Sequence, residues 1–211
     1  MKNDLTDITV VLDRSGSMAM VEKDTKGGFD RFVRDQADAQ GSAVLTLVQF
    51  DTDYEFVHKA KPIKEIPPLQ FQPRGATALL DAVGKAIVET GERLEKTPEH
   101  DRPGKVVFVI ITDGEENSSR EYKKSRISEM IKHQTDKYGW QFVFLGANQD
   151  AIKEAGDIGI LATAAMTYAH NGGGVTKAFA ATSRTLTSFR AGQSMNMTYT
   201  AQEKKEAEEA V

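Results

Sequence analysis

Four short runs of mostly aliphatic and aromatic residues constrain the fold of this 211-residue chain more than any other feature. They cover residues 8–12, 44–50, 106–111 and 142–145 and show no regular alternation of apolar with polar positions. A strand with one face in water alternates, whereas a strand covered on both faces reads as a continuous apolar run. The runs therefore predict a parallel sheet with helices on both sides, an α/β fold.

The segments between these runs predict helices and complete a pattern of strand and helix repeats. The amphipathic segments cover residues 21–39, 78–94, 119–138, 150–155 and 175–189. Residues 54–57 predict one short antiparallel edge strand, followed by a proline-rich irregular connection. We therefore expect a doubly wound, mostly parallel sheet in a single domain over residues 1–190. Residues 191–211 form a charged tail, expected to be a frayed helix or disordered.

Composition excludes several classes of function. Lys and Arg (27) nearly balance Asp and Glu (31), and the two signs are interspersed, so no basic footprint for nucleic acid is present. Because the chain has no Cys, it cannot form disulfides or thiolate metal sites. No apolar signal region follows the first residues, and no apolar run is long enough to cross a bilayer. We expect a cytoplasmic protein without nucleic-acid or membrane partners.

Polar residues with oxygen side chains follow the first apolar run at intervals of two. In an extended backbone, Asp13, Ser15 and Ser17 share one side and point three oxygens at one region above the strand end. Asp113 follows the third run and precedes a glycine, and Thr77 stands directly before a predicted helix. Ligands of doubly wound sheets bind beyond the carboxyl ends of the strands. These five residues are therefore candidates for one oxygen-lined site.

Each Ser or Thr taken singly is better explained as a helix cap, because these residues commonly cap helices at strand-to-helix turns. Capping does not explain why such residues occur together with two Asp in three separate loops. The four His show no pairwise ligand spacing, so we expect them at the surface and outside the site. The glycine-rich stretch at 172–174 lacks the ending of a phosphate-binding loop and predicts a flexible turn.

The pattern Asp13-x-Ser15-x-Ser17, with Thr77 and with Asp113 before Gly114, resembles the metal-ion-dependent adhesion site of von Willebrand factor type A and integrin inserted domains. The resemblance covers about residues 5–190 and is greatest to stand-alone bacterial and phage members. It implies a Rossmann-like fold and a bound Mg²⁺, with Mn²⁺ or Ca²⁺ as alternatives. It also implies that Ser15, Ser17 and Thr77 contact the ion directly or nearly so, and that Asp13 and Asp113 act directly or through water.

Two functions from different classes follow. The first is a non-enzymatic binding module, in which the ion captures an acidic residue of a protein partner, with AAA+ ATPases among the candidates. Mg²⁺ takes octahedral oxygen ligands and usually keeps waters, so one position stays replaceable. The alternative is a metal-assisted phosphoester hydrolase or phosphotransferase. We expect the binding module, because position 15 is Ser rather than Asp and no His or Lys accompanies the motif.

Overall fold

The computed structural model describes residues 1–147 and 150–210, and within them the chain forms one six-stranded sheet. The strands are β1 (Lys2–Asp13), β2 (Ser42–Phe50), β3 (Tyr54–Pro62), β4 (Pro103–Thr112), β5 (Gln141–Gly146) and β6 (Ala165–Thr167). Their order is β3-β2-β1-β4-β5-β6, and every neighbouring pair is parallel except β2 with β3. The expected doubly wound, mostly parallel sheet with one antiparallel edge strand is confirmed.

Helices flank this sheet in two groups. They are α1 (Glu22–Asp38), α2 (Leu79–Lys96), α3 (Lys124–Tyr138), α4 (Ala151–Asp157), α5 (Gly172–Arg190) and α6 (Ala201–Glu208). In one group α1 packs on α5 and α5 on α6, and in the other α2 packs on α3 and α3 on α4. The second half of β1 and nearly all of β4 are buried beneath them. This burial on both faces explains why the two strands lack polar alternation.

The strand order reverses between β1 and β4, and this reversal positions the candidate site. The chain proceeds outward from β1 through β2 to β3, returns to the centre at β4, and then proceeds outward on the other side. Leu12 pairs with Ile111, so the carboxyl ends of both central strands lie at one edge of the sheet. A crevice forms at such a switch point, because the connections on its two sides run in opposite directions.

Several element boundaries differ from those predicted, and hydrogen bonds to one carboxylate explain one of these differences. Helix α3 begins at Lys124 rather than at residue 119. The carboxylate of Asp81, in the first turn of α2, accepts hydrogen bonds from the backbone N–H groups of Arg120, Glu121 and Tyr122 at 2.8 to 2.9 Å. These bonds hold residues 120–122 as a loop. The edge strand β3 extends to Pro62, and its register against β2 shifts on the way.

Part of the charged tail is folded in the structure. Helix α6 begins with a capping box, in which Thr200 and Glu203 exchange side-chain and backbone hydrogen bonds. Ala207 is fully buried, and its carbonyl accepts a hydrogen bond from Ala169 N at 2.9 Å. Residue 211, the last of the predicted tail, lies outside the described residues. Of the helices in the described part of the chain, none combines the length and apolar character needed to span a membrane.

Candidate metal centre

Asp13 ends β1 at the centre of the sheet, and its side chain is held by two hydrogen bonds. Its Oδ1 accepts from Ser15 N at 2.7 Å, and its Oδ2 accepts from the hydroxyl of Thr112 at 2.6 Å. Asp13 has no exposed surface. The carboxylate is therefore held rigidly, since both oxygens are fixed by groups from two neighbouring strand ends.

The two serines connect Asp13 to the second carboxylate. Ser15 Oγ lies 3.1 Å from Ser17 Oγ, and Ser17 Oγ donates a hydrogen bond to Asp113 Oδ1 at 2.7 Å. Ser15 is buried, whereas Ser17 is exposed. Ser15 precedes the short turn Gly16–Val21 without making a side-chain capping bond. The hydroxyl groups thus point into the cluster instead of satisfying helix N–H groups.

Thr77 comes from a separate loop and lies beside the other hydroxyl groups. A Cβ atom added to Gly114 would lie 3.1 Å from Thr77 Oγ1 and 3.7 Å from Ser17 Oγ, so both hydroxyls lie beside this glycine. Thr77 does not cap α2, whose N-cap residue is Ala78. The backbone N–H of Leu80, in the first turn of α2, donates a hydrogen bond to Glu116 Oε2 at 2.9 Å instead. The capping alternative therefore does not account for the Thr77 hydroxyl.

Backbone hydrogen bonds tie the loops of the site together. Arg74 N donates to Arg14 O at 2.7 Å, and Gly16 N donates to Gly75 O at 3.2 Å. The guanidinium groups of Arg14 and Arg74 both contact Asp51 Oδ2, at 2.8 and 2.9 Å. The loop that carries Thr77 is thereby joined to the strand end that carries Asp13 and the two serines.

The electrostatics of the site make it unfavourable for the carboxylates of Asp13 and Asp113 to be ionised at the same time. Burial, together with a smaller effect of the charge of Asp113, raises the pKa of Asp13 from 3.8 to about 6, although hydrogen bonds from Thr112 and Ser15 lower it. Two carboxylates close together in a desolvated site favour protonation or a bound cation. Burial, and to a smaller extent the charges of Asp113 and Asp13, raise the pKa of the Tyr168 hydroxyl, which donates a hydrogen bond to Thr112 O at 3.1 Å.

The donor atoms fit a hard divalent cation. Asp113 turns Oδ1 to the hydroxyl of Ser17, and its Oδ2 is buried without a well-formed hydrogen bond. Three hydroxyls and two carboxylates are ligand types that Mg²⁺ accepts. Among residues 1–147 and 150–210, no three His, Cys, Asp or Glu side chains gather into a metal-binding group. An ion at this edge would therefore need the hydroxyl oxygens of Ser15, Ser17 and Thr77 beside Asp13 and Asp113.

Sequence reasoning missed three residues that contact the site. Thr112 binds Asp13, and Asn117 Oδ1 accepts a hydrogen bond from Thr77 N at 3.0 Å. The expectation that no His enters the site is wrong for His170, whose Nε2 lies 2.8 Å from Asp113 Oδ2. Thr112 directly precedes Asp113, which was an available signal. No local pattern indicated His170.

Comparisons with known proteins identify the fold through structure alone. Searches of protein-family models and of curated proteins give no match. Proximal thread matrix protein 1 from the mussel byssus aligns with a TM-score of 0.60 at 18% identity, over 89% of this chain and 47% of that chain. A von Willebrand factor type A protein from Catenulispora acidiphila aligns with a TM-score of 0.58 at 15% identity, over 90% and 43%.

A third solved structure, the ArnB paralog VWA2 from Sulfolobus acidocaldarius, has a TM-score of 0.54 at 16% identity and covers 85% of this chain and 45% of its own. The chain thus spans less than half of the length of each of these three structures. At such identities the likeness concerns the backbone and not the activity. Together with the observed strand order, it shows that this chain has the fold of von Willebrand factor type A domains.

Proposed function

We propose that this chain is a Mg²⁺-dependent protein-interaction module with a complete metal-ion-dependent adhesion site. Asp13, Ser15, Ser17, Thr77 and Asp113 would hold the ion, and the ion would capture an acidic residue of a protein partner. The observation that carries the proposal is the continuous contact from Asp13 through Ser15 and Ser17 to Asp113, with Thr77 beside it.

The ligand set favours capture of an external carboxylate. The ion would meet three neutral hydroxyls and two carboxylates that already accept hydrogen bonds from Ser15, Thr112 and Ser17. If one of the two carboxylates acts through water instead of binding the ion directly, the charge of the ion would be incompletely neutralised by its ligands, and an incoming Asp or Glu would gain strongly. Mn²⁺ and Ca²⁺ are alternative ions with oxygen preferences.

A structural neighbour supports divalent-cation binding by this fold. One structure of the mussel thread protein, with a TM-score of 0.60 to this chain, has zinc in its metal-ion-dependent adhesion site. Its description as a matrix protein also agrees with a binding role rather than an enzymatic one. AAA+ ATPases remain our candidates for the partner, through a surface acidic residue that reaches the ion.

The experiment that tests the proposal is a calorimetric titration of Mg²⁺ and Mn²⁺ into the wild type and Asp13→Ala. We expect the variant to lose measurable affinity while it stays folded, because the change removes a ligand at a strand end rather than core volume. Asp136→Ala, at an exposed position of α3, is the matched control and should bind as the wild type does. Unchanged affinity in Asp13→Ala would refute the site.

Two further measurements address function. Capture of partners from the source cell with and without Mg²⁺ should yield proteins that are retained only with the ion and only by the wild type. Turnover of a generic phosphoester with Mg²⁺ should be absent, because the Ser15 hydroxyl contacts Ser17 Oγ and not a general base that would activate it. Phosphoester turnover that Asp13→Ala abolished would replace the binding role with the hydrolase alternative.

A further inference from the structure

His170 lies in the segment between β6 and α5 and contacts a proposed metal ligand from the side opposite the serines. Its Nε2 is 2.8 Å from Asp113 Oδ2, while Asp113 Oδ1 accepts the hydrogen bond from Ser17 Oγ at 2.7 Å. The side chain of Asp113 has no exposed surface, whereas that of His170 is 32% exposed. The carboxylate is thus held between a hydroxyl of the candidate site and an imidazole.

The contact leaves two buried atoms without an aligned hydrogen bond. Nε2 of His170 and Oδ2 of Asp113 lie 2.8 Å apart, yet neither makes a well-formed hydrogen bond. A buried polar pair that stays unsatisfied costs free energy. At 2.8 Å the two atoms are at the distance of an N–H···O hydrogen bond, so the pair is satisfied when Nε2 carries a proton directed at Oδ2.

The backbone on both sides of His170 is held in place. Tyr168 N donates to Gly146 O, and Ala169 N donates to Ala207 O, both at 2.9 Å. Asn171 caps α5 by accepting from Gly174 N at 2.8 Å. The backbone segment that carries the imidazole is therefore held beside Asp113 by its hydrogen bonds to β5, α5 and α6.

We infer that His170 is a positioning residue for the metal centre, and this inference rests on the proposed function. Its Nε2–H holds Oδ2 of Asp113, so that the carboxylate presents only Oδ1 toward Ser17 and the ion. Outer hydrogen-bond partners orient the groups that ligate metals, and their loss typically costs 10-fold to 100-fold in metal affinity. A carboxylate that offers one oxygen also leaves more of the ion's positive charge for an external acidic group.

The test compares two substitutions at this position. His170→Gln keeps an N–H donor near the place of Nε2, whereas His170→Leu removes the donor at similar volume. In titrations of Mg²⁺ and Mn²⁺ we expect His170→Leu to weaken affinity by about 10-fold to 100-fold. His170→Gln should stay within about threefold of the wild type, since it retains the hydrogen bond. His100→Leu, at an exposed position far along the chain, is the control and should change nothing.

A spectroscopic signal distinguishes positioning from general loosening of the fold. The electron paramagnetic resonance spectrum of bound Mn²⁺ reports its ligand arrangement, and it should change in His170→Leu and stay wild-type-like in His170→Gln. Unfolding midpoints in EDTA should be similar for both variants. If His170→Leu does not fold, His170→Asn, whose amide is too short to reach Asp113, takes its place.

Two results would overturn the inference. The first is wild-type Mg²⁺ affinity in His170→Leu. The second is an equal loss of Mg²⁺ affinity in both variants, with or without a lower unfolding midpoint, because the retained N–H donor of His170→Gln would then make no difference. If Asp13→Ala also bound Mg²⁺ normally, the proposed metal site itself would fail, and this outcome is separate from the other two.

Discussion

At the scale of a single residue, the buried carboxylate of Asp13 lowers the stability of the fold and favours a bound cation. Its carboxylate is desolvated and lies near Asp113, so its pKa rises to about 6. At neutral pH the carboxylate is still mostly ionised, but keeping this charge in the buried site costs free energy that the same charge in water does not. A bound cation would relieve this cost, which is why a buried charge can be retained at a binding site.

We predict that Asp13→Asn stabilises the metal-free protein at high pH. A folded-state pKa of about 6 exceeds the ordinary value of 3.8, so this group's favourable contribution is present at low pH and lost as the pH rises through about 6. The difference amounts to about 3 kcal/mol at pH 8. The new amide can keep the bond from Ser15 N, and the Thr112 hydroxyl can donate to Gly114 O instead.

Urea unfolding in EDTA at pH 4 and pH 8 measures this effect. The gain in the free energy of unfolding should reach up to about 3 kcal/mol at pH 8 and stay below about 1 kcal/mol at pH 4. Saturating Mg²⁺ should reverse the order of the two proteins at pH 8, since only the wild type binds the ion. An equal gain at both pH values would show that the ionised carboxylate carries no such penalty.

Thr77 should matter more for the partner than for the ion. Thr77→Ala leaves the serine hydroxyls, both carboxylates and water to complete the octahedron, so Mg²⁺ binding should stay measurable. Affinity for a partner found by Mg²⁺-dependent capture should fall by about tenfold to a hundredfold, or about 1 to 3 kcal/mol. Titration of the wild type and the variant against that partner decides it. Equal partner affinities would contradict carboxylate capture at this ion.

At the scale of elements, the sequence predicted the parts of the fold whose signal is local. The central strands were recognisable because burial on both faces leaves a continuous apolar run, and helix α2 was recognisable from its amphipathic period. Strand β6 has three residues, Ala165–Thr167, too few for any period to be visible. The start of α3 depends on Asp81, a residue about 40 positions away, so no window around the helix could reveal it.

Some residues of the candidate site were likewise predictable from the sequence, and others were not. Asp13, Ser15 and Ser17 were predicted as neighbours from the period of an extended chain, but the strand ends at Asp13 and the turn Gly16–Val21 brings Ser17 into place. Asp113 was predictable from the parallel pairing of strand ends. That these residues bind a metal stays a prediction. The contact of His170 arises from packing among β5, α5 and α6, and tertiary packing of that kind leaves no periodic trace in the sequence.

Adjacent glycines in α1 provide a matched test of how this helix packs on α5. A Cβ atom added to Gly28 would lie 2.5 Å from the ring of Phe179, whereas one added to Gly27 would meet nothing within 4 Å. Gly28→Ala should therefore destabilise the protein by about 1 to 3 kcal/mol, because the buried ring must shift. Gly27→Ala should stabilise it by about 0.5 to 1 kcal/mol through helix propensity. Urea unfolding of both variants tests this, and gains of equal size would contradict the close packing.

At the scale of the whole molecule, the ion should stabilise the fold by mass action. A ligand that binds only the folded state at 100 times its Kd adds about 2.7 kcal/mol, which for a chain of this size raises the Tm by about 5 to 10 °C. Thermal unfolding with EDTA and with increasing Mg²⁺ measures the rise. Asp13→Ala should show none, and a similar rise in that variant would indicate Mg²⁺ bound elsewhere.

The backbone hydrogen bonds that join the loops around Asp13 have a calorimetric consequence. Because protein hydrogen bonds, from Arg74 N to Arg14 O and from Gly16 N to Gly75 O, join these loops, the loops do not depend on Mg²⁺ to bring them together. Little apolar surface would change its exposure, so the heat-capacity change of ion binding should be close to zero. The enthalpy of Mg²⁺ binding should accordingly be almost the same at 10 °C and at 35 °C.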